Sequence, residues 1–267
     1  MCMSRIARVL LLAAVVFSWG YASAAGGVGE EGVPAALRVG ITPDHPPMIF
    51  RLGGNITGVE ADMAHLLGGE LKRPVESVEL AWDDEIPALL EGRIDIIMSG
   101  MTVTDARKVR VNFSEPYLEG GLAAAIRRGE ASKFSSFADM LPTYPAVGVI
   151  GGTTAESFMR SHYPKLRLVT FRKTGDIAFD LKNRRIDVFV NDAPAVAWFV
   201  SENEGEVAAL RELLNAEDYA WPVRRDDPAL LAQVNSALAK WRGDGTLKRI
   251  LHRWLPYWDS IRQQNRP

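Results

Sequence analysis

The chain has 267 residues, 47% of them hydrophobic and 24% charged, with a formal net charge of -2. These figures describe one large or two modest globular domains and exclude a disordered or membrane-embedded chain. They also exclude the basic surface of a nucleic-acid binder, and no run of like charges suggests an acidic or basic tail.

Arg5 and Arg8 precede an apolar run from Val9 to Phe17, and Ala22-Ser23-Ala24 follows as a small-residue cleavage site. This is the pattern of a secretory signal peptide over residues 1–24. About ten apolar residues are too few to cross a ~30 Å hydrocarbon layer. Cys2, the single cysteine, leaves with the signal. A mature chain with no disulfide, no thiol nucleophile and no cysteine-ligated metal is therefore expected, located in the periplasm. Residues 25–34 are Gly-rich and read as a flexible leader.

From there the elements alternate. Leu37–Ile41 reads as a strand, residues 62–71 as a helix, Val75–Leu80 as a strand, Glu85–Glu91 as a helix and Ile94–Met98 as a buried strand. This β-α-β-α-β order predicts an α/β fold with a parallel sheet covered on both faces. The second half repeats it: strand 146–150, a helix from about Ala155, strand 166–171, helix 176–183 and strand 186–190. Arg93-Ile94-Asp95 and Arg185-Ile186-Asp187 stand at matching points before the last strand of each half, which points to two similar lobes. Residues 228–258 form an amphipathic tail of two helices divided at Gly243-Asp244-Gly245, expected to return to the first lobe. The lobes are then 35–122 plus 222–267 and 123–221, with chain crossings near 122–127 and 217–223.

In open α/β sheets, ligands collect at the carboxyl ends of the strands. Four such ends carry polar residues here: Thr42 to His45, Ser99 to Thr104, Gly151 to Thr154, and Asn191-Asp192. Gly100 allows close backbone approach, Thr102 offers a hydroxyl, and Arg107 offers a planar fork matched to a carboxylate. The alternative is that Thr104 caps a short helix and Arg107 is solvated on it. Thr154 could help bind an anion at a helix start or stand in a plain N-cap. Asp192 could bind an ammonium or cap the following helix, and Trp82 reads as core by pattern alone. The four histidines show no metal-ligand spacing, there is no Gly-x-Ser-x-Gly elbow, and nothing calls for a metal or cofactor.

Eight segments in chain order carry a resemblance: LRVGITPDHPPM (37–48), ITGVEADMA (56–64), WDDEIPALLEGRIDIIMSGMTVTDAR (82–107), NFSEPY (112–117), GVIGGTTAES (148–157), RRIDVFVNDAPA (184–195), VRRDDPALLAQVNSAL (223–238) and DGTLKRILHRW (244–254). Together they resemble the family 3 extracellular solute-binding proteins, the periplasmic amino-acid receptors of ABC transporters. The resemblance implies a type II periplasmic-binding-protein fold, two α/β lobes joined by two hinge crossings. It further implies a monomer that closes on an amino acid or related carboxylate and delivers it to a membrane ABC permease. By analogy Arg107 grips the α-carboxylate with Thr102 and the Thr154 N–H. Asp192 and the Gly100 carbonyl take the α-ammonium, and His45 and Trp82 sandwich the ligand. Thr42 falls where binders of cationic or amide side chains often carry Asp, which argues against Lys or Arg as ligand. Trp221 and Pro222 replace smaller residues and suggest a reshaped pocket. Two alternatives remain: a hydro-lyase of the cyclohexadienyl dehydratase type, whose catalytic acid would align with Ala195, and a soluble sensor subunit for a signalling receptor.

Overall fold

The computed structural model describes residues 35–256 and Trp258. The signal-peptide and leader readings, and the last residues of the tail, lie outside them.

Two five-stranded sheets organise the protein. In the first, Leu37–Ile41 pairs in parallel with Val75–Glu79 on one side and Ile96–Ile97 on the other; Pro222–Val223 and then Asn112–Phe113 continue the sheet antiparallel. In the second, Val147–Ile150 pairs in parallel with Leu168–Phe171 and Val188–Asp192, and Leu122–Arg127 and Val207–Ala209 continue it antiparallel. The two sheets share one topology: the first strand of each half lies between the second and third, and a strand from elsewhere in the chain runs against the third. Near-continuous apolar strands such as Val188-Phe189-Val190, all fully buried, suit sheets covered on both faces.

The repeated Ile-Asp pair has a physical role in this arrangement. Asp95, just before its strand, accepts the Arg38 main-chain N–H at 2.9 Å and the Arg38 guanidinium at 2.6 Å. Asp187 accepts the Ala146 main-chain N–H at 2.9 Å and the Arg127 guanidinium at 2.8 Å. Each carboxylate ties the start of a neighbouring strand, at the sheet edge opposite the strands' carboxyl ends. The motif therefore sets strand alignment, and the chemistry falls to the other edge.

The chain links the two sheets through Leu118–Gly120 and Glu217–Tyr219, which pair antiparallel as a short ribbon. The tail forms the helices Pro228–Gly243 and Thr246–Trp254. Gly245 sits between them in the left-handed region, at φ 77°. Both helices pack on Val59–Leu71, with the Lys240 ammonium 2.7 Å from Glu70 and the Trp254 indole N–H donating to Asp62 at 2.8 Å. Among the described residues no helix is long and apolar enough to cross a membrane.

One buried acid organises the first sheet's interior. Glu60, at the start of Val59–Leu71, is completely enclosed. It accepts hydrogen bonds from the Tyr117 hydroxyl at 2.7 Å, the Trp221 indole N–H at 2.8 Å and the Gly100 main-chain N–H. Trp221 stacks on Tyr117 and meets Trp241 edge-on. The expectation that Trp221 reshapes a pocket is corrected here: the ring is fully buried core, and it reaches the functional edge only through Glu60 and Gly100. Burial holds the Glu60 carboxyl up at about 7 against the three donors.

Removing one donor from an enclosed acid leaves part of its desolvation uncompensated. Trp221→Phe is expected to cost ~1–3 kcal/mol in urea unfolding. A change near zero would mean that the indole N–H contributes nothing to the network.

Candidate functional site

The carboxyl ends of the parallel strands in the two sheets face one another across a cleft of about 1040 Å³. All eight residues singled out in the sequence line it: Thr42 and His45, Trp82, Gly100 and Thr102, Arg107, Thr154 and Asp192. The loop after Leu37–Ile41 brings Thr42 and His45, and the segment after Ile96–Ile97 brings Gly100 and Thr102. The loop and helix after Val147–Ile150 bring Thr154, and Asp192 ends its own strand.

The capping alternatives resolve differently for each residue. Thr104 does cap the short helix Asp105–Lys108, accepting the Arg107 main-chain N–H at 3.2 Å. The Arg107 side chain nevertheless turns back into the cleft, half-buried, and donates to the Thr102 carbonyl at 2.8 Å. Its guanidinium lies 5.3 Å from the Trp82 ring centre, a cation–π distance. Among the described residues no carboxylate oxygen comes within 4 Å of it. Burial lowers the Arg107 pKa, while the charges of Asp192, Glu217 and Glu85 oppose that shift. Thr153, rather than Thr154, caps the helix Thr154–His162. Asp192 precedes the helix Ala193–Glu202 but makes no side-chain cap hydrogen bond.

Instead, an Asp192 oxygen lies 3.3 Å from His45 Nε2 on the opposing wall. The contact falls short of hydrogen-bond geometry and becomes an ion pair when the imidazole is protonated. His45 Nδ1 is 3.3 Å from the Ser99 carbonyl, an acceptor that requires a proton there. With Nδ1 protonated, only the imidazolium carries a second proton to face Asp192. Gly100, at φ +72°, lets the ring rest on the backbone: a Cβ there would come within 3.1 Å of it. Burial lowers the His45 pKa, but Asp192, the Ser99 carbonyl and the Glu60 charge outweigh it, and the net shift is upward. Asp44, the adjacent residue, faces His45 as well.

A second contact between the walls is the Trp82 indole N–H, which donates to the Gly152 carbonyl at 3.1 Å. Trp82 also packs on the apolar cluster beneath, so the core expectation describes one face of the ring and the cleft takes the other.

Three acids behind the cleft wall escaped the sequence reading. Glu217, on the ribbon between the sheets, accepts from the Thr102 and Thr154 hydroxyls, each at 3.1 Å, and so ties one residue from each sheet. Burial and the Asp192 charge raise its pKa. Glu85, completely buried, accepts from the Thr42 hydroxyl at 2.9 Å and from the Ser99 hydroxyl. Burial holds its carboxyl up at about 8. Glu60 holds the Gly100 N–H as described. In sequence Glu85 falls in the first turn of the helix expected over 85–91 and Glu60 just ahead of the one expected over 62–71, where the dipole favours acids. No sequence signal marks them as enclosed. Ala195 also lines the cleft, so the position aligned with a dehydratase acid presents a methyl group. Among the described residues no group of three His, Cys, Asp or Glu could hold a metal ion.

Residues 37–257 match the family model of the bacterial extracellular solute-binding proteins, family 3, and the chain belongs to that family. ABC transporter arginine-binding protein 1 of Escherichia coli (strain K12) is 28% identical over 93% of this chain and 99% of its own. The probable histidine-binding protein of Neisseria gonorrhoeae is 30% identical, covering 87% of this chain and 90% of its own. Among solved structures, the ancestral amino acid-binding protein AncCDT-1, a precursor of cyclohexadienyl dehydratase, superposes with a TM-score of 0.76 at 34% identity, covering 82% of this chain and 95% of its own. The fold is thus the type II periplasmic-binding-protein fold, with two sheet-containing lobes, and these relatives are binding proteins rather than enzymes.

The His45–Asp192 pair gives a pH signature whose sign is fixed. A histidine raised on folding adds stability that is complete below its unfolded value of ~6.5 and is lost as pH rises through the folded value. In NMR titrations His45 is expected to titrate above ~6.5 in the wild type and clearly lower in Asp192→Asn. Equal midpoints in the two proteins would contradict the pairing.

Proposed function

We propose that this protein is the amino-acid-binding component of an ABC transporter, closing its two lobes over a small zwitterion and delivering it to a membrane permease. Arg107 takes the α-carboxylate, helped by the Thr102 hydroxyl and the Thr154 N–H at a helix start. Asp192 takes the α-ammonium with the Gly100 carbonyl, while His45 and Trp82 flank the ligand above the Thr42 floor. The lobes divide as 35–122 plus 222–267 and 123–221. The protein works as a monomer in the periplasm after a signal over residues 1–24 is removed.

One observation carries this reading: Arg107 is a half-buried guanidinium in a cleft, with no carboxylate within 4 Å among the described residues. A cation withdrawn from water needs a counter-charge, and a planar fork suits a carboxylate. Asp192, on the opposite wall, offers the complementary sign. The names of the relatives, which bind arginine, histidine and unspecified amino acids, support the same class.

The mechanism follows from where the residues sit. Contacts to a carboxylate come largely from the first lobe and contacts to an ammonium from the second. A molecule with both groups therefore binds better when the lobes are together, which shifts the population towards closure. Enclosure lowers the local dielectric and strengthens both contacts. A closed, loaded form is the species a permease distinguishes from the empty one.

A thermal-shift screen of the L-amino acids identifies the ligand, because a bound solute stabilises by mass action. For that ligand, Arg107→Ala should lose well over tenfold in affinity by calorimetry, since an uncompensated buried charge costs ~3–5 kcal/mol. Unchanged affinity would reject the carboxylate assignment.

A further inference from the structure

His45 and Asp192 stand on opposite walls of the cleft, and both side chains are largely buried. Asp192 Oδ2, 3.3 Å from His45 Nε2, belongs to the carboxylate assigned above to the α-ammonium. The other group assigned to that ammonium is the Gly100 carbonyl. The His45 ring rests against Gly100 as well, where a Cβ would stand 3.1 Å from both Cε1 and Nδ1 of the imidazole. The ring therefore covers the place that a ligand's ammonium needs. An ammonium held by Asp192 and Gly100 excludes the imidazole from its present position by bulk and, when the ring is charged, by repulsion.

The ring's proton count follows from its contacts. Nδ1 lies 3.3 Å from the Ser99 carbonyl, which only accepts, so a neutral ring keeps its one proton there. Nε2 would then turn a lone pair towards the carboxylate, and it has no hydrogen-bond partner of its own. The contact is attractive only when Nε2 is protonated as well. Three acids face the ring: Asp192 from the second sheet, Glu60 from the helix behind Gly100, and Asp44 beside it in the chain. Arg107 faces the same Asp192 from its own loop. Glu60, held up at about 7, is partly uncharged near neutrality. Burial opposes the imidazolium, and the Asp192 contact is the foremost influence that favours it.

We propose that His45 is an internal competitor for the ammonium subsite, its imidazolium bridging the walls on Asp192 until an incoming amino acid displaces it and the Nε2 proton leaves to solvent. This rests on the reading of the cleft as an amino-acid site. The Nε2–H bond breaks, its electron pair stays on the ring, water takes the proton, and the ligand's ammonium replaces the lost charge beside Asp192. A displaced ring that faces an ammonium in place of a carboxylate has no means of holding its proton above the ordinary value of ~6.5. Release of a proton on binding fixes the sign of the pH dependence. Affinity is full above the raised value that His45 has in the free protein, falls as pH drops through it, and levels off below the value in the complex. Acid thus weakens capture through a residue that also shapes the site.

A thermal-shift screen of the common L-amino acids supplies the probe, the one that most raises the melting temperature. Calorimetry with it near pH ~7 in phosphate and in Tris reads the protons released from the difference in heat between the buffers. The wild type should release up to about one proton and bind about threefold or more weakly near pH ~5.5 than near pH ~8. His45→Phe keeps an aromatic flank that cannot titrate; it should lose most of the release and most of the pH dependence. Release and pH dependence equal to the wild type's in that variant overturn the proposal, because another group, such as Glu60, then carries the proton. Proton uptake by the wild type, or an affinity independent of pH, overturns it too. If His45→Phe does not fold, NMR of the wild type decides: saturation with the same amino acid should lower the His45 titration midpoint, and an unchanged midpoint overturns the proposal. In each of these outcomes an amino acid still binds and the proposed function stands, whereas failure of every L-amino acid to bind removes both.

Discussion

The structure depends on one constraint, that the carboxyl ends of the parallel strands in the two sheets are turned towards each other. Parallel strands end in loops and helix starts, where side chains are least committed to packing and backbone N–H groups are exposed. Facing two such edges collects Thr42, Gly100, Thr102, Thr154 and Asp192 around a single cleft from segments up to 150 residues apart. The opposite sheet edges are given to structure: Asp95 and Asp187 occupy the same position in each sheet and secure the neighbouring strand. Function and stability are thus separated along the strand direction.

The cleft is electrically tense. Removing charged groups from water is unfavourable unless each finds a partner, so burial favours the neutral form of each enclosed acid here. The consequences appear as upward shifts at Glu60, Glu85 and Glu217, each with burial as the leading cause. They appear also in a histidine that reaches across to Asp192. A site built this way has affinity for a ligand whose charges are distributed to match, and it discriminates against one whose charges do not. Glu217 has a different place in the balance. From the ribbon between the sheets it holds the Thr102 and Thr154 hydroxyls and so ties the two walls together.

Much of this was legible in the chain. Strands buried on both faces read as short apolar runs, and the polar residue that ends each run marks the functional edge. That is why residues chosen from the sequence, from Thr42 to Asp192, line one cleft. Family motifs identified the fold and the class of protein that the matching relatives define. What the sequence hid was depth. Glu60 and Glu85 look like helix-start acids, and only tertiary packing encloses them; the three donors to Glu60 lie 40, 57 and 161 residues away. Trp221 looked like a cleft residue because of its size beside the crossing, yet the same size makes it core. His45 was legible as a residue that flanks the ligand, but its partner across the cleft was not, since nothing local links it to Asp192.

The central claim is that a guanidinium on one lobe and a carboxylate on the other hold the two ends of one amino acid. A crystal structure of the protein with the L-amino acid that most raises its melting temperature tests this directly. The account predicts an α-carboxylate oxygen within about 3 Å of the Arg107 guanidinium and the α-ammonium on Asp192. A ligand seated in the cleft with no carboxylate oxygen on Arg107, or with its ammonium turned away from Asp192, would contradict it.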